Sequence, residues 1–266
     1  MNINPLFAPT FVLGVVIYAI TLRRFAWPKA PVTRMAVALG VLIAALPGAA
    51  FAIYYMHWFD KAALFYEFRA LPGTELTAAG LGFSIGAVAA LGHTKLVRGV
   101  LQVAGALILV IFLSVPYIKP VVWPLDYGAL KDEVSGKVTR QTSSSTCGPA
   151  CASTLLRAAG LHATEAEMAR ECYTSSSGTE NWYLTRALRR RGLAVQSIVR
   201  PHPTSLPYPS MAGLGFGGGG HFVTVLGKTK QGYIIGDPLS GELTLSTSDV
   251  AKYGFSGYFM IARRPR

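Results

Sequence analysis

Charge is scarce in this chain. Only 14% of its 266 residues are charged against 51% hydrophobic, few of the charges fall in the first 118 positions, and the mean hydropathy is +0.38. That balance points away from a simple soluble globule and towards a membrane-embedded half. Acids are scarcer than bases, 13 against 25, which leaves a net charge of +12 and raises the question of nucleic-acid binding. No stacking aromatics or groove-reading pattern accompany the cations, so nucleic acid is set aside as a partner. A phosphate loop is lacking too. Gly227, Lys228 and Thr229 end like one, but Phe222 stands where the earlier glycine is needed, so no ATP is expected. Cysteine is limited to three, so at least one thiol is unpaired. No internal repeat is visible.

What is abundant is long apolar runs. Four segments, roughly 6–22, 35–56, 76–92 and 99–115, match the ~17–25 residues that a bilayer crossing needs. The first follows MNINP, which has no positively charged start, and reads as a retained span rather than a signal peptide. The third is the least hydrophobic, and its Gly82 and Gly86 are expected to let helices approach closely. Arg23, Arg24, Lys29 and Arg34 follow the first span, and Lys95 and Arg98 precede the fourth. Between the second and third, Asp60, Glu67 and Glu75 outnumber Lys61 and Arg69. The positive-inside bias puts the cation-rich loops in the cytoplasm and both termini outside it. The expectation is an integral protein, of a bacterial inner membrane, with an extracytoplasmic C-terminal domain. His57 and His93 fall near span ends and are assigned no role.

The chemistry gathers around residues 141–151, QTSSSTCGPAC. Apolar residues at helical spacing follow, stopped by Gly160, a C-terminal cap. Cys147 therefore falls at the first turn of a helix, where Pro149 is tolerated because its missing N–H has no partner there. Free backbone N–H groups and the positive end of the helix dipole favour thiolate at that position. Gln141 can set a side-chain amide beside the Cys147 N–H as an oxyanion hole. A nucleophile of this kind needs a base and a group that orients it. His221 opens an alternating strand, HFVTVLG, and after a turn at 228–232 the strand YIIGD ends on Asp237. Two hairpin-paired strands would hold His221 and Asp237 at one end of a sheet.

The order Gln141, Cys147, His221, Asp237, with Q-x5-CGPAC, GHFVTVLG and GDPLSG over roughly 135–262, resembles the papain-like peptidases and more closely peptidase family C39, which processes bacteriocin leaders. The resemblance implies a papain-like fold, cleavage after a Gly-Gly pair, and an acidic residue before the cysteine, where this chain has Thr146. It also implies fusion to an ATP-driven exporter, which is not seen here. The residues by themselves give the same plan. Thr164 and Glu167 form a capping box, a third helix covers about 180–191, and Arg189, Arg190 and Arg191 suit its C-terminal dipole. Runs with strand character follow from 194 onward. Helices first and strands after read as α+β with a mostly antiparallel sheet. The organisation is then an all-α transmembrane bundle of about four helices over 1–116, a linker over 117–134 in which Pro120 and Pro124 discourage helix, and a C39-like peptidase domain over 135–266.

The expected function is a membrane-anchored cysteine peptidase acting on a peptide or leader, itself membrane-associated or secreted, with no cofactor and no metal. A non-catalytic peptide-binding module of a secretion system, or a thiol-dependent amidase or acyltransferase, are the alternatives. A structural zinc fits the C-x3-C spacing poorly. The glycine run 213–220 reads as a mobile loop on the substrate side, and His162 and His202 as solvated. In an oxidising compartment Cys151 and Cys172 are expected to pair, leaving Cys147 free.

Overall fold

The computed structural model describes residues 2–53, 62–216 and 219–265. His57, Asp60, Lys61 and the end of the second apolar segment lie outside the described residues. The chain divides into two compact units: Ile3–Phe59 with Pro72–Lys119, and Asp60–Leu71 with Pro120–Arg266 and the N-terminal Met1–Asn2.

The first unit is helical. Helices α1 (Phe7–Arg24), α2 (Pro31–Ile53), α4 (Gly80–Ala89) and α5 (Lys95–Val122) follow the apolar segments of the sequence. Three of them, α1, α2 and α5, are long and apolar enough to cross a membrane, and only 11–22% of each crossing window is buried. The remaining apolar segment is shorter. It starts as a 3-10 helix, Thr74–Ala79, and becomes α4 only at Gly80, as a glycine-rich stretch with low helix propensity does. Its glycines do what was expected of them: a Cβ on Gly82 would lie 2.2 Å from the Gly14 carbonyl oxygen, and one on Gly86 would lie 2.9 Å from Thr21 Cβ. Hydrogen bonds complete the clasp, from Ser84 Oγ to the Val41 carbonyl at 2.9 Å and from Trp27 Nε1 to the Ala87 carbonyl at 2.7 Å. Helix α5 runs on into the expected linker and ends at Val122. Pro120 falls in its last turn, where it deletes one backbone donor without interrupting later turns.

The second unit is α+β, as the pattern of the sequence implied. A hairpin, β1 (Val134–Ser135) and β2 (Val138–Thr139), leads into α6 (Cys147–Ala158), α7 (Glu165–Glu171) and α8 (Asn181–Arg190). Six strands follow: β3 (Ala194–Val199), β4 (Ser210–Phe216), β5 (Gly219–Lys228), β6 (Gly232–Asp237), β7 (Gly241–Ser246) and β8 (Phe255–Arg263). They form one sheet in the order β3-β8-β4-β5-β6-β7, with every pair antiparallel. Both partners of the Thr164–Glu167 capping box are in place. Helix α6 stops where Gly160, at φ +70°, lets its N–H reach the Arg157 carbonyl and the Leu161 N–H reach that of Leu156, the paired bonds of a Schellman cap.

Two expectations need correction here. The glycine run is paired strand over most of its length: Gly213 faces Phe222, Leu214 faces His221 and Gly215 faces Gly220 across the β4–β5 hairpin. Leu214, buried between two glycines, gives the strand its inward face, so pairing prevails over loop propensity. Residues 217–218 lie outside the described residues. The second correction is a helix that the sequence did not announce, α3 (Ala63–Ala70). It comes from the acidic connection of the membrane half yet belongs to the α+β unit. Arg186 on α8 donates to the carbonyls of Arg69 at 2.7 Å, Ala70 at 3.3 Å and Leu71 at 2.8 Å, which caps the C-terminus of α3 with a cation. The Arg69 guanidinium lies 3.7 Å over the Trp182 ring. Glu67 pairs with Arg189 at 2.6 Å and accepts from the Ser197 N–H at 2.6 Å, while Arg189 also donates to the Val195 carbonyl at 2.7 Å. These groups cover the free edge of β3, which would otherwise invite another strand. Arg189 thus has a dedicated partner beyond the helix dipole, and Arg191 likewise pairs with Glu171 at 2.5 Å.

Candidate active site

Cys147 is the first residue of α6, half-exposed between the buried Thr146 and Gly148. From Gly148 to Leu156 every residue of the helix is buried, so it is held on all sides. Gly148 is required for that fit, because a Cβ there would stand 2.9 Å from Leu184 Cδ1. The loop that delivers the cysteine is tied as tightly. The Ser143 carbonyl accepts from Thr146 Oγ1 at 2.9 Å and from Gln141 Nε2 at 2.8 Å. Thr142 is fixed by the fully buried Glu165, whose carboxylate accepts its N–H at 2.9 Å and its hydroxyl at 2.6 Å. The Thr139 N–H donates to Thr154 Oγ1 on α6 at 2.9 Å. Thr146 closes the turn before the cysteine with its hydroxyl, in the place where the resemblance implied an acid.

His221 lies on β5 and Asp237 ends β6. The pairing of Thr224 with Gly236 brings both to the same end of the two strands as diagonal neighbours, within side-chain reach. Their side chains meet, His221 Nε2 to Asp237 Oδ1 at 3.0 Å, only 14% and 15% exposed. Asp237 Oδ1 also accepts the Leu239 N–H at 2.8 Å. This turn is pinned to the cysteine loop by the Gln141 N–H on the Pro238 carbonyl at 3.0 Å and by the Arg140 guanidinium on the Leu239 carbonyl. With Nε2 held by Asp237, Nδ1 is the nitrogen left for Cys147, whose sulfur is the other hydrogen-bonding partner of the ring.

Burial alone would lower the pKa of His221. The hydrogen bonds from Asp237 and Cys147, and their charges, outweigh it and push the value up to about 9. Burial likewise raises the pKa of Asp237, but the bonds from His221 and Leu239 overcome it and the net shift is downward. The pair is therefore arranged as imidazolium and carboxylate at neutral pH.

The structure thus brings Cys147, His221 and Asp237 together, with Gln141 beside them on the loop. One amide hydrogen of Gln141 is taken by the Ser143 carbonyl, and among the described residues its Oε1 has no hydrogen-bond partner. Glu165 and Thr142 were missed, because a glutamate in the first turn of a helix reads simply as a dipole partner.

Comparison with known proteins bears on the family of the second unit. Residues 135–266 match the model of the Peptidase C39 family. An uncharacterised protein of Methanothermobacter marburgensis is 31% identical over 135 residues, 51% of this chain and 92% of that one. The chain belongs to the peptidase C39 family. A second uncharacterised relative, from Methanothermobacter thermautotrophicus, is 28% identical over 137 residues, 52% of this chain and 93% of its own. Among solved structures, the peptidase domain of Streptococcus ComA, a bi-functional ABC transporter of a quorum-sensing pathway, is 21% identical with a TM-score of 0.44, covering 48% of this chain and 98% of that domain. A double glycine motif protease from an AMS/PCAT transporter, in complex with a leader peptide, has the same identity and TM-score over 51% of this chain and 94% of its own.

The other two thiols of this C39 chain are not paired as expected. Both Cys151 and Cys172 are free and buried. Cys151 sits one turn below Cys147 beside Thr224, whereas Cys172 lies among Arg190, Glu171 and Arg191. Burial pushes both thiols up, which keeps them protonated and inert. Among the described residues no group of three or more His, Cys, Asp or Glu is placed to hold a metal. His162 is exposed and 3.9 Å from Asp132, while His202 is half-buried rather than solvated.

Proposed function

We propose that this chain is a membrane-anchored cysteine peptidase that cleaves a peptide or leader segment at the extracytoplasmic face. The observation that carries it is the line from Cys147 at the start of a buried helix through His221 to Asp237 at 3.0 Å. Cys147 Sγ attacks the scissile carbonyl carbon, and its proton resides on His221. The oxygen becomes an oxyanion facing the Cys147 N–H and the second amide hydrogen of Gln141. His221 then protonates the leaving amine as the C–N bond breaks, leaving a thioester. Water, deprotonated by the now neutral His221, attacks that thioester and releases the acid. Asp237 holds the ring so that Nδ1 faces the sulfur throughout.

Support for this location comes from α3. It lies between the second and third apolar segments yet is built into the α+β unit, so that connection and the C-terminal domain share one side. The chain must then cross the membrane twice between Leu71 and Pro120, once in α5 and once in the 3-10 helix and α4. Those 6 and 10 residues reach about 27 Å at ~2.0 and ~1.5 Å per residue, close to a hydrocarbon core of ~30 Å. The shared side is the one with the acidic connection, hence outside. A Gly-Gly pair is the candidate cleavage site that family membership suggests, since glycine lets a backbone lie flat in a narrow channel.

Two experiments test this reading. Purified full-length protein in detergent is expected to cleave a leader peptide ending in Gly-Gly and to spare one with the pair replaced. Cleavage by Cys147→Ala would end the peptidase reading. Alkaline phosphatase fused at the C-terminus is expected to be active in a bacterial host, and a silent fusion would reverse the topology.

A further inference from the structure

Where α1 passes to α2 and α4 to α5, an open cleft of ≈ 400 Å³ is lined by Phe25, Trp27, Arg34, His93, Arg98 and Gln102, among others. Its wall is fixed: the Trp27 indole is bonded to the Ala87 carbonyl at 2.7 Å and meets Phe25 edge-on at 5.4 Å. Arg34 lies 5.8 Å from the Trp27 ring centroid, and Arg98 Nε donates to the Gly92 carbonyl at 3.2 Å. Both arginines are exposed.

Among the described residues neither arginine is paired with a carboxylate. The sequence holds no Asp or Glu from 1 to 59 or from 76 to 125. The one acid of this unit, Glu75, lies before the opposite end of α4 and is bonded to Asn4 at 2.8 Å. Arg23, Arg24, Lys29 and Lys95 add further uncompensated charge to the same two connections. Guanidinium groups bind phosphate oxygens in a planar fork. An anion from outside the chain is the counterion that the cleft lacks, and its chemistry is that of a phosphate.

We propose that the cleft binds the phosphate headgroup of an anionic phospholipid. A lipid is preferred over a free phosphate because the helices carrying the two arginines turn apolar side chains outward within the next two turns or so, Leu39 and Leu42 on α2 and Val100 and Val103 on α5, where acyl chains can lie. Trp27 and Phe25 stand at the level where aromatic rings meet headgroups.

The test is native mass spectrometry of the full chain released from detergent with added phosphatidylglycerol, phosphatidylcholine of the same acyl chains, or inorganic phosphate. Phosphatidylglycerol is expected to bind at least about tenfold more tightly than phosphatidylcholine. The double variant Arg34→Gln with Arg98→Gln is expected to lose roughly 10–30-fold of that affinity, as for two cations near anionic lipid. Lys29→Gln, off the cleft wall, is expected to stay within about twofold. Arg34→Lys with Arg98→Lys keeps the charge without the fork and is expected to fall between. Equal binding of the two lipids, or an equal loss in Lys29→Gln, overturns the proposal. Displacement of the lipid by an equal concentration of inorganic phosphate overturns the lipid assignment.

Discussion

Helices α2 and α6 both lack a polar face, yet they end in opposite surroundings. Helix α6 buries nine consecutive residues, Gly148 to Leu156, against its own domain. Helix α2 turns Val32, Met35, Leu39, Leu42, Ile43 and Leu46 outward. A helix apolar all round is either the core of a domain or a membrane element, and side-chain size separates the two cases. Small Gly, Ala, Ser and Cys residues let α6 be enclosed, and its buried hydroxyls have partners, Thr154 with the Thr139 N–H and Ser153 with Thr139 Oγ1 at 3.0 Å. The aliphatic residues of α2 are exposed instead, on a helix long and apolar enough to cross a membrane. The enclosed helix cannot move, which is what a nucleophile at its end requires.

The largest expected effect breaks the enclosed end. Cys147→Ala and His221→Ala are expected to abolish cleavage, with melting unchanged in Cys147→Ala and lowered in His221→Ala, which leaves the Asp237 carboxylate without its partner. Next, Gln141→Ala is expected to lower kcat by about 10²–10³-fold with little change in KM, as for loss of one oxyanion donor. An unchanged kcat would leave the oxyanion to the Cys147 N–H alone.

Asp237→Asn is expected to cost less, and its signature is a pH profile. His221 must carry a proton for the leaving amine, and its pKa is pushed up to about 9, so kcat/KM should fall above about pH 9. Without the carboxylate the alkaline limb is expected to move down towards the ordinary histidine value of ~6.5, and a limb that stays put would deny Asp237 its role. Stability follows the same groups. The raised His221 contributes stability that is complete below pH ~6.5 and lost as pH rises through about 9. The depressed Asp237 contributes stability that is present above its ordinary value and lost as pH falls through its folded value.

In the membrane half the comparison is sharpened by two glycines. Gly82→Ala would drive a Cβ to 2.2 Å from a backbone oxygen, whereas Gly99→Ala meets nothing within 4 Å. The first is expected to destabilise by about 1–3 kcal/mol or more and the second to be neutral or mildly stabilising, read as melting in detergent. In the α+β unit Glu67→Ala is expected to cost about 1–2 kcal/mol from the lost bonds to Ser197 and Arg189.

Local pattern carried most of the second unit. The capping box, the glycine stop at Gly160 and the alternation of β5 and β6 each act within a few residues, and each was legible. The turn between β5 and β6 was legible for the same reason. Helix α3 was not, because residues 63–70 give a short segment whose charges read as loop. Their partners, Arg186, Arg189 and the edge of β3, lie more than a hundred residues away. The Cys151–Cys172 bond failed likewise: spacing in the chain says nothing of which neighbours a buried thiol meets. For the candidate site, the order of Gln141, Cys147, His221 and Asp237 was legible, while the supports Glu165 and Thr142 needed three-dimensional proximity.

Of three thiols, the account makes only the one at the open end of α6 reactive. The direct measurement is intact-mass and peptide mapping of the full-length protein after reaction with an electrophilic peptide ending in Gly-Gly. The account predicts one adduct, on Cys147, absent from Cys147→Ser and reduced in His221→Ala. Labelling of Cys151 or Cys172 in the folded protein, or undiminished labelling in Cys147→Ser, would contradict it.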